Sequence, residues 1–389
     1  MIIKSIIDGD LYKITMQQAI IKLYPTVKVR YSFINRDKTP FPEGFAEELR
    51  KEVHQMENLT LLKEEGEWLL RNCNFLDPAY LDFLNGFRFN SSEVGIIQKG
   101  TDLQISIEGY WYKTILWETT LMALISELYF KLTSQKPVSK EKRKQNNINK
   151  AQLFRMHGMQ YADFGTRRRF SYEIHNELIN DFKSFSLNNE NFLGTSNLHF
   201  AHKYNIKPIG THAHEWFSFH GALVGYKMAN QTALENWIDI YKGDLGIALT
   251  DTFTTDKFFK SFNKKLSCIF SGIRQDSGDP IAYTTKAINH YKSMGIDPMS
   301  KMIIFSDNLN VDKAIEINNF CKGKIKCSFG IGTNFTNDVG IKPLNIVIKL
   351  IQCKINNEWI NTVKLSDVLG KETGDENEIK ICKNTLRIN

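Results

Sequence analysis

The chain lacks the features that mark secreted, membrane-embedded or modular proteins. Its six cysteines, Cys73, Cys268, Cys321, Cys327, Cys353 and Cys382, include no Cys-x-x-Cys pair, so neither a zinc ribbon nor a disulfide framework is indicated. A reducing cytoplasm is the expected setting. The amino terminus turns acidic by Asp8, and the most apolar later run, residues 114–130, is interrupted by Glu118 and Glu127 and is too short for a bilayer. There is no short-period repeat and no low-complexity linker. The net charge of +7 is diluted over 389 residues. Residues 131–152 do gather seven lysines and arginines, but without interleaved aromatics they read as a solvated helix face, and no nucleic-acid partner is expected.

What is present is ordinary globular material, 42% hydrophobic and 24% charged, enough for two domains. Asp8 can cap a helix running to about Leu23, and Val27 to Phe33 alternates as a half-buried strand does. A helical, aromatic-rich stretch at 70–88, a strand near 103–109 and a long helix at 112–133 complete an α+β amino-terminal domain, residues 1–135. Beyond about residue 155, short β-rich runs alternate with polar loops and helical patterns, which predicts parallel strands in an α/β barrel over 136–345. The strands should end at Asp163, Gly194, Gly210, Thr250, Gly272, Phe305 and Gly330. A strand expected from Leu344 to Gln352 leads into residues 346–389, which are expected to return to the amino-terminal domain.

The loops after these strands carry the chemistry. Residues 207–220 place His212 and His214 at the end of an apolar run, with Glu215 opening the next element. Clustered imidazoles there suit metal ligation, proton transfer or nucleophilic attack. Transition-metal ligation is the weaker reading, because His220 and His290 fall in helical patterns and leave no third histidine at a strand end. Gly330, Gly332 and Thr333 can offer backbone N–H groups and a hydroxyl to a phosphate, with Ser306 and Asn308 completing the site. Asp276 and Asp279 flank Ser277-Gly278, and suit ribose hydroxyls and Mg²⁺, although Asp279 before Pro280 equally suits a helix cap. Arg167 and Arg274 each offer a planar fork to a carboxylate or phosphate, and Phe164 can stack on a flat ring or pack in the core.

The segments Asp10-Leu-Tyr-Lys13, Phe164-Gly-Thr-Arg167, Gly194-Thr-Ser-Asn197, Gly210-Thr-His-Ala-His-Glu215, Arg274-Gln-Asp-Ser-Gly-Asp-Pro280 and Phe329-Gly-Ile-Gly-Thr333 together resemble the bacterial-type nicotinate phosphoribosyltransferases. The likeness is collinear and spans nearly the whole chain. It implies an irregular type II phosphoribosyltransferase barrel with an amino-terminal α/β domain. It also implies conversion of nicotinate and phosphoribosyl pyrophosphate to nicotinate mononucleotide and pyrophosphate in NAD salvage, coupled to ATP and Mg²⁺.

By that resemblance His214 is phosphorylated by ATP, with Glu215 orienting it, while His212 inherits no role. Phe164 and Tyr12 sandwich the pyridine ring, Tyr12 arriving from a second copy of the chain. Arg167, Arg274 and Thr250 surround the ring carboxylate and diphosphate, and Asp276 takes the ribose hydroxyls. Related nicotinamide enzymes carry an aspartate where this chain has Ser196. A hydroxyl can donate to a carboxylate that a second carboxylate would repel, so Ser196 favours the acid over the amide. A metal-dependent barrel hydrolase built on His212 and His214 is the rival from another class.

Overall fold

The computed structural model describes residues 1–186, 191–368 and 370–388. The chain forms two compact units, one of residues 1–26, 30–210 and 331–349, the other of residues 27–29, 211–330 and 350–389. Among the described residues no helix is long and apolar enough to cross a membrane.

In the first unit, helix Leu11–Leu23 starts at Asp10 rather than Asp8. The reason is charge compensation: Asp8 and Arg169 are fully buried, and the guanidinium donates to both carboxylate oxygens at 2.7 and 2.9 Å. Removing either partner would leave an uncompensated buried charge, a loss on the order of 3–5 kcal/mol. Strand β1 (Lys28–Asn35) alternates buried and half-buried residues as expected. Strands β2 (Val94–Lys99) and β3 (Asp102–Tyr110) form an antiparallel hairpin, Val94 opposite Ile107 and Lys99 opposite Asp102. The single helix expected at 112–133 is split into Trp111–Thr114 and Trp117–Leu132.

Strand β4 (Tyr161–Asp163) pairs in parallel with β5 (Phe192–Thr195). Its start is fixed by Tyr161, whose ring stacks on Phe154 with centroids 4.2 Å apart and meets Phe335 edge-on at 5.9 Å. Such ring pairs add about 0.5–1.5 kcal/mol each beyond the area they bury. Gly194, at φ +139°, lies where a Cβ would sit 1.9 Å from the Lys207 carbonyl oxygen, so no other residue fits there. The strand expected to end at Gly210 is reduced to one bridge between Thr195 and Pro208, since proline has no N–H with which to extend a ladder.

The second unit is built on four parallel strands, neighbours in the order β6 (Ile247–Leu249), β7 (Gly272–Gln275), β8 (Met302–Phe305) and β9 (Lys326–Ile331). Their register aligns Leu249, Arg274, Ile304 and Ser328, so their carboxyl ends share one edge. The parallel α/β expectation holds, with displaced ends. Gly272 opens β7 instead of closing it, which draws Arg274 into the strand, and Gly330 lies inside β9. Helices His214–Val224 and Tyr226–Tyr241 pack through Trp216 and Trp237, with centroids 5.6 Å apart. Strand β10 (Ile346–Ile355) pairs antiparallel with β11 (Glu358–Asn361) through Gln352 to Ile355.

Candidate active site

The shared edge of β6, β7 and β8 places Asp251, Thr252, Asp276 and Ser306 together, and His214 opens its helix against them. The His214 Nε2 lies 2.9 Å from Asp276 Oδ2, and its Nδ1 lies 3.0 Å from the Thr252 hydroxyl. The second Asp276 oxygen accepts from Ser306 Oγ at 2.7 Å. Behind them, Asp251 accepts from Ser277 Oγ at 2.6 Å and pairs with Lys364 Nζ at 3.7 Å. Lys364 belongs to the carboxy-terminal segment, held there by the Leu365 N–H on the Thr252 carbonyl at 2.7 Å.

Charge states follow from these contacts. Burial pushes His214 down to about 4, helped by Lys364 and only partly opposed by Asp251 and Asp276, so the imidazole is neutral at physiological pH. Burial would raise Asp276, but the His214 hydrogen bond and the Arg274 charge outweigh it and hold the carboxyl well below the usual range. An ionised Asp276 accepts the Nε2 hydrogen, which leaves the Nδ1 lone pair facing the Thr252 hydroxyl. The tautomer is assigned from this network.

The same cluster suits a hard divalent cation. Single ligand atoms of His214, Asp251 and Asp276 all lie within 4.8 Å of one another, and Asp251 Oδ1 is buried without a hydrogen-bond partner. Arg274 Nε is likewise buried and unpartnered. The two carboxylates of the cluster offer oxygen donors, which fit Mg²⁺ better than a softer metal.

Other expected residues of this unit fall elsewhere. Asp279 caps helix Pro280–Ser293, accepting from the Ala282 N–H at 2.6 Å. Thr250, 1% exposed, spends its hydroxyl on the Arg274 carbonyl and on Tyr283. Asn308 adopts φ +46° in the loop after β8. Glu215 lies buried in the helix, while the two imidazole nitrogens of His214 are taken by Thr252 and Asp276. His212 is fully buried, stands edge-on to Trp237 at 4.8 Å and accepts the Leu249 N–H at 3.2 Å. Burial and the Arg274 charge keep it neutral, and its visible work is to tie the 211–213 segment to β6.

The first unit gathers a second cluster. Asp163, at the end of β4, accepts from the Gly165 N–H at 2.9 Å and from Thr195 Oγ1 at 2.6 Å. A Cβ on Gly165 would stand 2.2 Å from Thr336, so the turn that presents Phe164 and Arg167 requires glycine. The Phe164 N–H donates to the Ile331 carbonyl at 2.8 Å, and Gly332 and Thr333 start the short helix Thr333–Thr336. Arg167 is 41% exposed and lies 3.8 Å from Glu118, whose other oxygen is 2.5 Å from the buried Lys13. Tyr12 is 9% exposed, with the Lys13 ammonium 5.6 Å from its ring centre. Ser196 Oγ donates to Asp10 Oδ1 at 2.6 Å, so its hydrogen has an acceptor inside the protein.

Sequence reasoning missed Asp251, Thr252, Lys364 and Asp10. The first two stand beside Thr250 in a loop already singled out, and placing the end of β6 one residue earlier would have exposed them. Lys364 carries no local signal.

Known proteins resemble this chain over nearly its whole length. Residues 159–389 match the sequence model of the nicotinate phosphoribosyltransferase family, and residues 7–126 match that of its amino-terminal domain. The nicotinate phosphoribosyltransferase of Desulforapulum autotrophicum is 51% identical over 386 residues, 99% of each chain. That of Chromohalobacter salexigens is 49% identical over 385 residues, 99% of this chain and 98% of the relative. Among solved structures, the nicotinate phosphoribosyltransferase of Porphyromonas gingivalis superposes with a TM-score of 0.97 at 46% identity, covering 100% of both chains. That of Vibrio cholerae gives 0.92 at 37% identity, covering 100% of this chain and 95% of the other. The fold is therefore the type II phosphoribosyltransferase α/β fold expected from the sequence, and the chain belongs to the nicotinate phosphoribosyltransferase family.

Proposed function

We propose that the protein transfers the phosphoribosyl group of phosphoribosyl pyrophosphate to nicotinate, giving nicotinate mononucleotide and pyrophosphate for NAD synthesis, with ATP hydrolysis coupled through His214. The observation that carries the coupling is the neutral imidazole of His214 held between Asp276 and Thr252 at 2.9 and 3.0 Å. Asp276 retains the Nε2 hydrogen, so Nδ1 is the nucleophile. Its bond to the ATP γ-phosphorus forms as the bond to the β–γ bridging oxygen breaks, which releases ADP. Later attack of water on that phosphorus returns the imidazole and free phosphate. The Thr252 hydroxyl holds the Nδ1 lone pair until ATP arrives and turns from it as the N–P bond forms, and Lys364, 3.7 Å from Asp251, lies close enough to offset charge gained there.

Transfer at the ribose anomeric carbon passes through an oxocarbenium-like state, and the pyridine nitrogen is already a nucleophile. Catalysis is therefore positioning and neutralisation of the leaving diphosphate. Mg²⁺, held by Asp251 and Asp276, would supply that neutralisation. Phe164 and Tyr12 would flank the ring, Arg167 its carboxylate, and Gly332 and Thr333 a phosphate; a homo-oligomer in which Tyr12 reaches a neighbouring copy belongs to the same reading.

The test is incubation with nicotinate, phosphoribosyl pyrophosphate and Mg²⁺, with and without ATP, followed by detection of mononucleotide and pyrophosphate. Turnover stimulated by ATP, and loss of that stimulation in His214→Ala, is the expected result. No mononucleotide from the parent chain would overturn the assignment. Unchanged ATP stimulation in His214→Ala would overturn the coupling alone.

A further inference from the structure

Ser196 Oγ and Asp10 Oδ1 are 2.6 Å apart, 4% and 2% exposed, and backbone hydrogen bonds tie their segments together. The Leu11 N–H donates to the Ser196 carbonyl at 2.7 Å, Asp10 and Asn197 form an antiparallel bridge, and the Ser196 N–H donates to the Asp163 carbonyl at 2.8 Å. We propose that Asp10 acts through Ser196 as the positioning residue for ring-substituent selection: binding of a ring carboxylate at Ser196 is accompanied by proton uptake at Asp10. The inference rests on the proposed nicotinate reading and deepens it.

A hydroxyl has one hydrogen and two lone pairs. With Asp10 ionised, that hydrogen points at Asp10, and Ser196 offers an incoming group only lone pairs. A carboxamide N–H can use them, whereas a carboxylate is repelled. With a proton on Asp10, Oδ1–H donates to Ser196 Oγ, and the serine hydrogen turns to the ligand carboxylate. The acid therefore binds with one added proton and the amide with none.

The groups facing Asp10 pull in both directions. From the turn after β4 come the Thr166 hydroxyl and the Arg167 charge, which with Ser196 favour the ionised form. Asp163, at the end of β4, opposes it. On the helix that Asp10 begins, Lys13 lies 2.5 Å from Glu118. Burial decides the balance and raises the Asp10 carboxyl above its ordinary range.

The experiment measures initial rates with nicotinate and with nicotinamide over roughly pH 5.5–8.5 for the parent, Asp10→Asn and Ser196→Ala. Calorimetric titration of nicotinate in buffers of different ionisation enthalpy accompanies it. In the parent, KM for nicotinate should rise with pH, by up to about tenfold per unit above the Asp10 pKa, while kcat changes far less and KM for nicotinamide stays level. Nicotinate binding should take up close to one proton at the upper end of the range. Asp10→Asn carries a fixed N–H donor, so its KM for nicotinate should be level with pH and calorimetry should show no uptake. Should Asp10→Asn not melt cooperatively, Ser196→Ala decides the matter by losing the same slope. A parent that turns over nicotinate with no pH-dependent KM, or an Asp10→Asn enzyme that keeps the parent's slope, would overturn the inference alone. Absence of nicotinate turnover in the parent would overturn the proposed function, and the inference with it.

Discussion

The cluster around His214 and the cluster around Ser196 solve opposite problems with similar residues. Around His214 every proton has one place: Asp276 is ionised, the imidazole is neutral, and both its nitrogens are engaged at 2.9 and 3.0 Å. Around Ser196 a buried carboxylate accepts the single hydrogen of a hydroxyl, and in the proposed selection an incoming ligand changes where that hydrogen points. A nucleophile gains from preorganisation, because a fixed tautomer costs nothing at the moment of attack. A specificity contact gains from being able to refuse, and a hydroxyl that points inward until a proton arrives does refuse. The difference lies in the compensating charge. Asp276 has Arg274, Lys364 and His214 to hold it ionised, whereas burial dominates at Asp10.

The largest effect should come from breaking the fixed cluster. Asp276→Asn keeps the shape but presents an amide to Nε2, and so allows the tautomer in which Nδ1 carries the hydrogen. ATP-stimulated turnover should fall on the order of 10³–10⁴-fold, as when the carboxylate behind a catalytic histidine is neutralised. His212→Gln, two residues before His214, should instead lower stability while leaving the ATP stimulation ratio intact, because His212 accepts the Leu249 N–H and packs edge-on to Trp237, away from the His214 hydrogen bonds. Rapid-quench measurement of ADP release beside thermal melts separates the two. Equal loss of stimulation in both variants would mean that the imidazoles share one role.

The split between the clusters also explains what was legible in the sequence. His214, Asp276 and Ser306 could be picked because parallel strands put the residues after their carboxyl ends on one edge, and a chemically capable residue there has few structural reasons to be present. Thr250 drew its role from the family resemblance, with β6 expected to end on it; β6 ends at Leu249, so Asp251 and Thr252 follow the strand more closely than expected. The Gly210 strand failed on Pro208. Asp8 and Asp10 are out of reach of periodicity altogether. Nothing local tells that Asp8 must neutralise Arg169, 161 residues away, or that Asp10 must meet Ser196 at a separation of 186.

An intermediate effect concerns acid stability. His214 and His220 are pushed down to about 4 by burial, and His212 is lowered for the same reason. Between about pH 6.5 and pH 4 the unfolded chain takes up protons at these rings that the folded chain refuses, so stability falls as pH falls through that window. His214 and His220 each contribute up to about 3 kcal/mol by pH 4, and His212 acts in the same direction. In the first unit Asp8, held below its usual range by Arg169 against burial, loses its contribution only below about pH 4, and Asp10, Glu93 and Glu127, raised by burial, add stability as they protonate. Hydrogen exchange followed by mass spectrometry from about pH 7.5 to about pH 4.5 should show residues 211–330 losing protection first. Earlier loss in residues 30–210 would break the comparison.

The smallest effect separates a carboxylate proposed to hold Mg²⁺ from one that caps a helix. Asp279 and Asp276 stand three residues apart, yet Asp279 accepts the Ala282 N–H at the start of its helix while Asp276 faces His214 and Asp251. Asp279→Ser keeps a capping oxygen, so its melting temperature and Mg²⁺ requirement should match the parent's. Asp279→Ala should lose about 1 kcal/mol with the Mg²⁺ requirement still unchanged. Asp251→Asn removes charge beside the unpartnered oxygen of the cluster, and should raise the half-saturating Mg²⁺ concentration by about tenfold or more. Rates titrated with Mg²⁺ in all three variants decide it: a shift in Asp279→Ser that is absent from Asp251→Asn would move the cation to the helix end, where the sequence alone had put it.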